Sequence, residues 1–385
     1  MNRFFWLSCC LCLSLGCSKG DWSGFQKQKP DLLVRATTDA QIIATVKDVA
    51  GNSSAPGIVF SLYRGAPSMH TQASVLLEIG HADEQKSRPI SAKDHFRIAS
   101  ISKSFLGYIA LKLIEEGQLE PSDSLYKYVP SAPLASEVTI DDLAYMQSGI
   151  PNNAVNQDFQ RAVEGEPTKY WTIQELLEYT NPMLFAFEPG RQWQYSNTNS
   201  VYLGMVIEAV TGITVEEALQ TYVFEPLSLL NTGVDTSGLP LPHPSSYRYT
   251  NASKPFKYGR DWMDQSHWNA SWAGASGNMY STEFDLAVFG YNLFSGKLLD
   301  SSSQQRLVDW RDTGDHGWQY GFHVWDYFGA QLMLGDIHGF SSFLAYVPES
   351  DITFVVLANL SNEQNKYSPA YNVGIAVLDA IYQLD

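Results

Sequence analysis

Cysteine is nearly missing where a folded protein would use it. All four cysteines, Cys9, Cys10, Cys12 and Cys17, fall in the first seventeen residues of a 385-residue chain. Disulfides and thiolate metal sites are thereby excluded from the folded part. Positive charge is also scarce. There are 25 Lys and Arg against 41 Asp and Glu, for a net charge of -16, and no Lys/Arg run occurs. That balance argues against nucleic acid as a partner. The apolar run at residues 4–15 is too short for a permanent membrane helix. The eight histidines are scattered without ligand spacing and form no His-Glu-x-x-His pattern, so neither a metal nor a cofactor is expected. Ser148, in Gln147-Ser148-Gly149, lacks the glycine two residues before it that a Gly-x-Ser-x-Gly nucleophile elbow requires.

What is present is globular: 44% apolar and 17% charged residues, enough to build a large core in one elaborate domain or two closely joined ones. Residues 1–17 read as a secretory signal peptide, with a positive start at Arg3 and an apolar middle. Leu13-Ser14-Leu15-Gly16-Cys17 resembles a bacterial lipoprotein processing site. Lipidation at Cys17 would then place the protein in the cell envelope as an exported protein, touching the membrane through its lipid anchor only. Ordinary signal cleavage is the alternative. Residues 18–30 read as a polar tether and 31–385 as the folded domain.

Along that domain, spacing predicts a helix over about 30–50 and strands at 57–63 and 74–79 paired as a hairpin. A helix follows Ser100 and stops at Gly117, with Pro121 beyond it. Residues 121–300 read as a mostly helical insertion, with helical patterns at 140–146, 173–179, 202–210, 215–223 and 284–294. Four strand-like runs at 320–327, 330–334, 342–347 and 352–357 then suggest an antiparallel meander, closed by a helix over 370–382. Both chain ends would share one sheet.

The most informative stretch is Phe96-Arg97-Ile98-Ala99-Ser100-Ile101-Ser102-Lys103. It sets a serine before an apolar helical run, with a lysine three residues on. In a helix those two side chains share a face. A serine hydroxyl needs a neighbouring base to become a nucleophile, and an amine one turn away supplies one. Alone, the pattern equally describes a helix-capping serine and a surface lysine.

These residues resemble the active-site signature of the serine β-lactamase and penicillin-binding protein superfamily, in the branch of class C β-lactamases, D-alanyl-D-alanine carboxypeptidases and related esterases. Pro189-Gly190-Arg191-Gln192-Trp193-Gln194-Tyr195-Ser196-Asn197 is similar to its second element, and Ser148-Gly149-Ile150-Pro151, Leu203-Gly204, Phe224-Glu225-Pro226-Leu227 and Gly339-Phe340-Ser341-Ser342 follow its framework in order. The resemblance implies an acylated nucleophile at Ser100, acid and base work shared by Lys103 and Tyr195, and Asn197 bonding the substrate amide and the lysine. Tyr-Ser-Asn-Thr-Asn also suits a plain helix start.

The third element departs from the family. An ungapped register places Met333-Leu334-Gly335 where the family carries Lys or His, then a variable residue, then Gly. Gly335 would keep the close approach of strand to substrate, and Asp336 would offer an oxyanion-hole N–H. Met333 supplies no cation for a substrate carboxylate. A gapped register would bring in His338. The carboxylate of Asp336 would oppose developing negative charge unless turned away.

The resemblance thus implies an α/β (α+β) protein of the β-lactamase-like fold, an antiparallel sheet from both chain ends flanked by helices. Together with the signal peptide, it implies an exported serine hydrolase acting on a small-molecule or peptide substrate. An ester or amide without a carboxylate suits the site better than a penicillin, which puts esterase or peptidase ahead of β-lactamase or penicillin-binding carboxypeptidase. An inactive binding protein of the same fold is the competing class. Trp262, Trp268, Trp272, Trp318 and Trp325 suit either a core or an apolar cleft.

Overall fold

The computed structural model describes residues 37–68, 71–180, 183–249, 262–362 and 367–383. The expected signal peptide, Cys17 and the expected tether lie outside the described residues.

Eight strands form one antiparallel sheet: β1 (Gly57–Arg64), β2 (Val75–Gly80), β3 (Arg311–Asp312), β4 (Trp318–Tyr320), β5 (Trp325–Tyr327), β6 (Ala330–Ile337), β7 (Phe340–Val347) and β8 (Ile352–Ala358). Their order is β2-β1-β8-β7-β6-β5-β4-β3. The β1/β8 pairing, Ile58 opposite Ala358 through Arg64 opposite Ile352, unites the chain ends as expected. Every residue of β7 and β8 is buried. These central strands are covered on both faces, which is why, apart from Ser341, Ser342 and Thr353, they read as apolar runs without alternation.

Two layers of helix do the covering. α1 (Asp39–Gly51) starts at a reciprocal Thr38–Gln41 capping box. It packs with α4 (Pro369–Tyr382) over β7 and β8. On the other face lies α2 (Ser102–Glu115) with the helix Glu283–Phe294, joined by Phe105 stacked on Phe289 at 3.6 Å. Adjacent residues of β7 show the two-sided packing. A Cβ on Gly374 would stand 2.5 Å from the Phe343 ring, and one on Gly290 would stand 2.6 Å from Leu344.

Within 121–300, helices separated by irregular stretches outweigh the short strands among the described residues, and the last of them, Glu283–Phe294, belongs to the sheet layer, against β1, β7 and β8. The helix Gln157–Gly165 was not anticipated. Nor was the small sheet of Phe96–Arg97, Met279–Ser281 and Gly233–Val234. The expected single strand over 320–327 is two strands. The chain doubles back through His323, which has φ 61 and gives both its N–H and its ring Nδ1 to the Ala144 carbonyl. Among the described residues no helix is long and apolar enough to cross a membrane.

Candidate active site

Ser100 sits in a one-turn 3-10 helix, Ala99–Ile101, that runs directly into α2. Ala99 is left-handed at φ 49, a strained setting for a residue with a Cβ that the surroundings must hold. The Ser342 hydroxyl fixes the Ile98 carbonyl just before it at 2.8 Å. The start of α2 is polar yet buried, and its serines bond back to the turn. Ser102 Oγ donates to the Ala99 carbonyl at 2.6 Å and Ser104 Oγ to that of Ile101 at 2.7 Å.

Three side chains meet here. Lys103 Nζ donates to Ser100 Oγ at 2.9 Å and to the Ser276 carbonyl at 2.7 Å. The Tyr195 hydroxyl donates to Ser100 Oγ at 2.8 Å. Lys103 Nζ also lies 5.0 Å from the Tyr195 ring centroid. Lys103 is 0% exposed, and a buried amine persists only with such partners. The Tyr195 ring is held from behind by Trp325, stacked at 6.2 Å, and by the edge of Tyr320. Trp318 packs on Trp325 in the same cluster, so these tryptophans are core.

The loop before Tyr195 is tied to α3 (Asn197–Thr211). Asn197 opens that helix and gives its N–H to Asn152 Oδ1 at 3.2 Å. Thr198 Oγ1 bonds the Pro151 carbonyl at 2.8 Å, and Ser148 Oγ bonds Asn199 Oδ1 at 2.6 Å. Ser148 is therefore a bracket for the segment that carries Tyr195. His323 is a satisfied core residue. Its Nε2 faces Ser200 Oγ at 3.0 Å, and burial first, then Lys103, holds its pKa down at about 3.

The opposite wall is β6. Beyond Leu332 it pairs with β7 alone among the described strands, because β5 covers only Ala330 to Leu332. The second half of β6 thus presents an open edge to the nucleophile turn. A Cβ on Gly335 would stand 2.3 Å from the Ile98 carbonyl oxygen and 2.9 Å from Ala99 Cβ. That approach is open to glycine alone. Met333 is fully buried, in the same core as Tyr195, and so is not a substrate contact as the chain stands. His338 does not enter the Ser100 cluster through a gapped register. The strand runs unbroken to Ile337, and His338 with Gly339 makes a two-residue turn. Its ring lies between Trp268 at 4.5 Å and Trp272 at 4.7 Å. Asp336 lines a cavity together with these residues, and burial raises its pKa well above the usual range against the opposing pull of Arg248.

Two contributors escaped sequence reasoning. One is the Ser276 carbonyl, which holds Lys103; a backbone oxygen leaves no residue-type signal. The other is Asn152, visible only as a polar residue after the Ser148-Gly149-Ile150-Pro151 framework. Among the described residues no cluster of His, Cys, Asp and Glu is suited to a metal.

The family model described as Beta-lactamase matches residues 42–377. The "Beta-lactamase" of Escherichia coli (strain K12) is 27% identical over 195 residues, covering 50% of this chain and 47% of that protein. The "Putative penicillin-binding protein PbpX" of Bacillus subtilis (strain 168) is 22% identical, covering 74% of this chain and 66% of that one. The chain thus spans about half to two thirds of the length of these relatives. Among solved structures, the D-stereospecific amidohydrolase from Streptomyces sp. is 25% identical with a TM-score of 0.75, covering 88% of this chain and 97% of that one.

Proposed function

This chain belongs to the Beta-lactamase family, and we propose that it is a serine hydrolase that forms an acyl-enzyme at Ser100 and releases it to water. The observation that carries this reading is the double contact on one oxygen: Ser100 Oγ lies 2.9 Å from Lys103 Nζ and 2.8 Å from the Tyr195 hydroxyl. In this reading Oγ bonds to the substrate carbonyl carbon while Lys103 and Tyr195 together take its proton. They return that proton to the departing alcohol or amine. In the same reading the N–H groups of Ser100, in its turn, and of Asp336, on β6, stabilise the oxyanion. Water then attacks the acyl carbon by the reverse proton path, freeing Ser100.

Esters and amides without a carboxylate beside the scissile bond are the proposed substrates, ahead of penicillins. The strand position that would hold a cation is the buried Met333, so a penicillin carboxylate would go unpaired. The name of the Streptomyces amidohydrolase supports the amide branch. Export with a lipid anchor at Cys17 belongs to the same proposal and rests on the sequence. Loss of membrane-fraction protein in Cys17→Ser would support it, and unchanged fractionation would remove it.

The deciding experiment is intact-mass analysis of the soluble domain after exposure to a fluorophosphonate, with Ser100→Ala alongside and a fluorescent penicillin as second probe. One fluorophosphonate label on the wild type, none on the variant and weak penicillin labelling are expected. A folded wild-type protein that takes neither probe would overturn catalysis in favour of a binding protein.

A further inference from the structure

Three residues before Ser100 stands a charge that the chemistry above leaves unused. Arg97 is fully buried, and its ion-pair partner Asp235, at 2.7 Å, has a fully buried side chain as well. Taking two charges out of water is costly, and apolar residues of the same volume often stabilise a core equally well. What distinguishes this pair is the set of groups it holds.

Arg97 uses its guanidinium as a fork. Nε donates to Asp235 Oδ2 at 2.7 Å and Nη2 to the Trp268 carbonyl at 2.5 Å, with Nη1 3.5 Å from the Gln265 carbonyl. Asp235 is itself fixed twice more: its N–H donates to the Asn278 carbonyl at 2.7 Å, and its Oδ1 accepts from the Gly238 N–H at 2.8 Å. Between Trp268 and Asn278 runs the 3-10 segment Ala270–Ser276, kinked at Gly274 with φ 51. Its last residue supplies the carbonyl that accepts from Lys103 Nζ. Arg97 therefore holds the entry to this segment and Asp235 its exit. Arg97 also lies on the short strand that leads into the nucleophile turn, opposite Tyr280, and the next residue, Ile98, gives its N–H to the Met279 carbonyl at 2.9 Å. One buried pair thus ties the backbone anchor of Lys103 to the strand that delivers Ser100.

We propose that Arg97, paired with Asp235, is a positioning residue for the reaction at Ser100: it sets where the Ser276 carbonyl stands and so keeps Lys103 Nζ on Ser100 Oγ. This inference rests on the acyl-enzyme reading. Lys103 Nζ contacts the Ser100 oxygen and the Ser276 carbonyl together, so a shift of the carbonyl draws the amine off the nucleophile. Misplacing a reacting group by about 1 Å costs on the order of a hundredfold in rate. Arginine is needed for its shape. A lysine ammonium would keep the charge beside Asp235, but as a point donor on a different stem it would not also reach the Trp268 carbonyl.

The test follows fluorophosphonate labelling of Ser100 by intact mass in the full-length protein over a range of reagent concentrations, which separates the maximal rate from the half-saturating concentration. Two variants are compared with the wild type. Arg97→Lys keeps the charge, and Arg97→Met combined with Asp235→Leu removes both charges and orphans neither. Each is assayed well below its own melting temperature. In both, the maximal rate falls about tenfold or more while the half-saturating concentration stays within about twofold of the wild type. A pair that only stabilises the fold gives a different result, because a folded Arg97→Lys would then label at the wild-type rate. That rate in either folded variant, or a loss confined to the half-saturating concentration, overturns the positioning role and leaves the acyl-enzyme standing. If Arg97→Lys does not fold, the double variant decides by the same two quantities. A folded wild type that takes no label on Ser100 overturns the acyl-enzyme and the positioning role with it.

Discussion

The two walls of the Ser100 cleft differ in how they are held. On the helical wall every group is constrained by another: Lys103 is fully buried and kept by Ser100 and Ser276, and Tyr195 is stacked on Trp325. On the strand wall Gly335 is constrained by the nucleophile turn, through a close approach that any side chain would block. Its neighbours Met333 and Asp336 have gone separate ways, one into the core and one into an aromatic cavity. The reactive group and its bases stand or fall together, whereas the strand can change its polar groups without unpacking the nucleophile. On the proposed function, chemistry lives on one wall and choice of substrate on the other.

If that division holds, breaking the helical wall has the largest effect. Lys103→Ala should lower kcat/KM for an activated ester on the order of a thousandfold, and Tyr195→Phe on the order of a hundredfold. Both are to be measured on protein whose circular dichroism matches the wild type. Losses under tenfold in both would mean that some other group is the base. Gly335→Val forces the walls apart, because its Cβ would stand 2.3 Å from the Ile98 carbonyl oxygen. A stability loss of about 1–3 kcal/mol by denaturant unfolding is expected, with slower fluorophosphonate labelling. Unchanged labelling would show that the strand does not support the turn.

The same division explains what was legible in the sequence. Ser100 and Lys103 could be paired from their spacing and Tyr195 through the family resemblance, and the structure brings all three onto one oxygen. The sheet was legible because its central strands are unbroken apolar runs. The strand wall was not. Met333 was readable as a missing cation, but nothing in the local pattern showed that it lies in the same core as Tyr195. His338 could stand in for the missing cation through a gapped register until the two-residue turn fixed its register and set its ring between Trp268 and Trp272. Residues more than sixty positions apart make that cavity, and local periodicity carries no information about such meetings. The Ser276 carbonyl was invisible for a simpler reason: any residue would have supplied it.

Adding a cation to the strand wall sharpens the comparison from the other side. Met333 is fully buried on the same strand face as Gly335. Met333→Lys should therefore lose stability, by about 2–3 kcal/mol, while raising the rate of labelling by a fluorescent penicillin about tenfold. A gain confirms that this wall governs the response to a substrate carboxylate. Destabilisation with no gain in rate would place carboxylate preference elsewhere in the cleft.

The smallest expected effect separates the pH dependence of folding from that of the cleft. Glu283, 5% exposed at the start of the helix Glu283–Phe294, lies 3.3 Å from the Tyr63 hydroxyl of β1. Burial, then Asp285 and Glu78, raises its pKa from 4.5 to about 7, outweighing that hydrogen bond. Between those two values the folded protein binds more protons at this position than the unfolded chain. Stability from this group is therefore full below pH 4.5, declines through the interval and is lost above about 7. The loss amounts to about 1–3 kcal/mol. Glu283→Gln removes the titration. Its melting temperature should exceed that of the wild type by a few degrees at pH 8 and match it at pH 4.5, while the pH profile of fluorophosphonate labelling stays put. A labelling profile that moved with Glu283 would mean that the sheet layer and the catalytic wall titrate as one unit, and the separation drawn between them would fail.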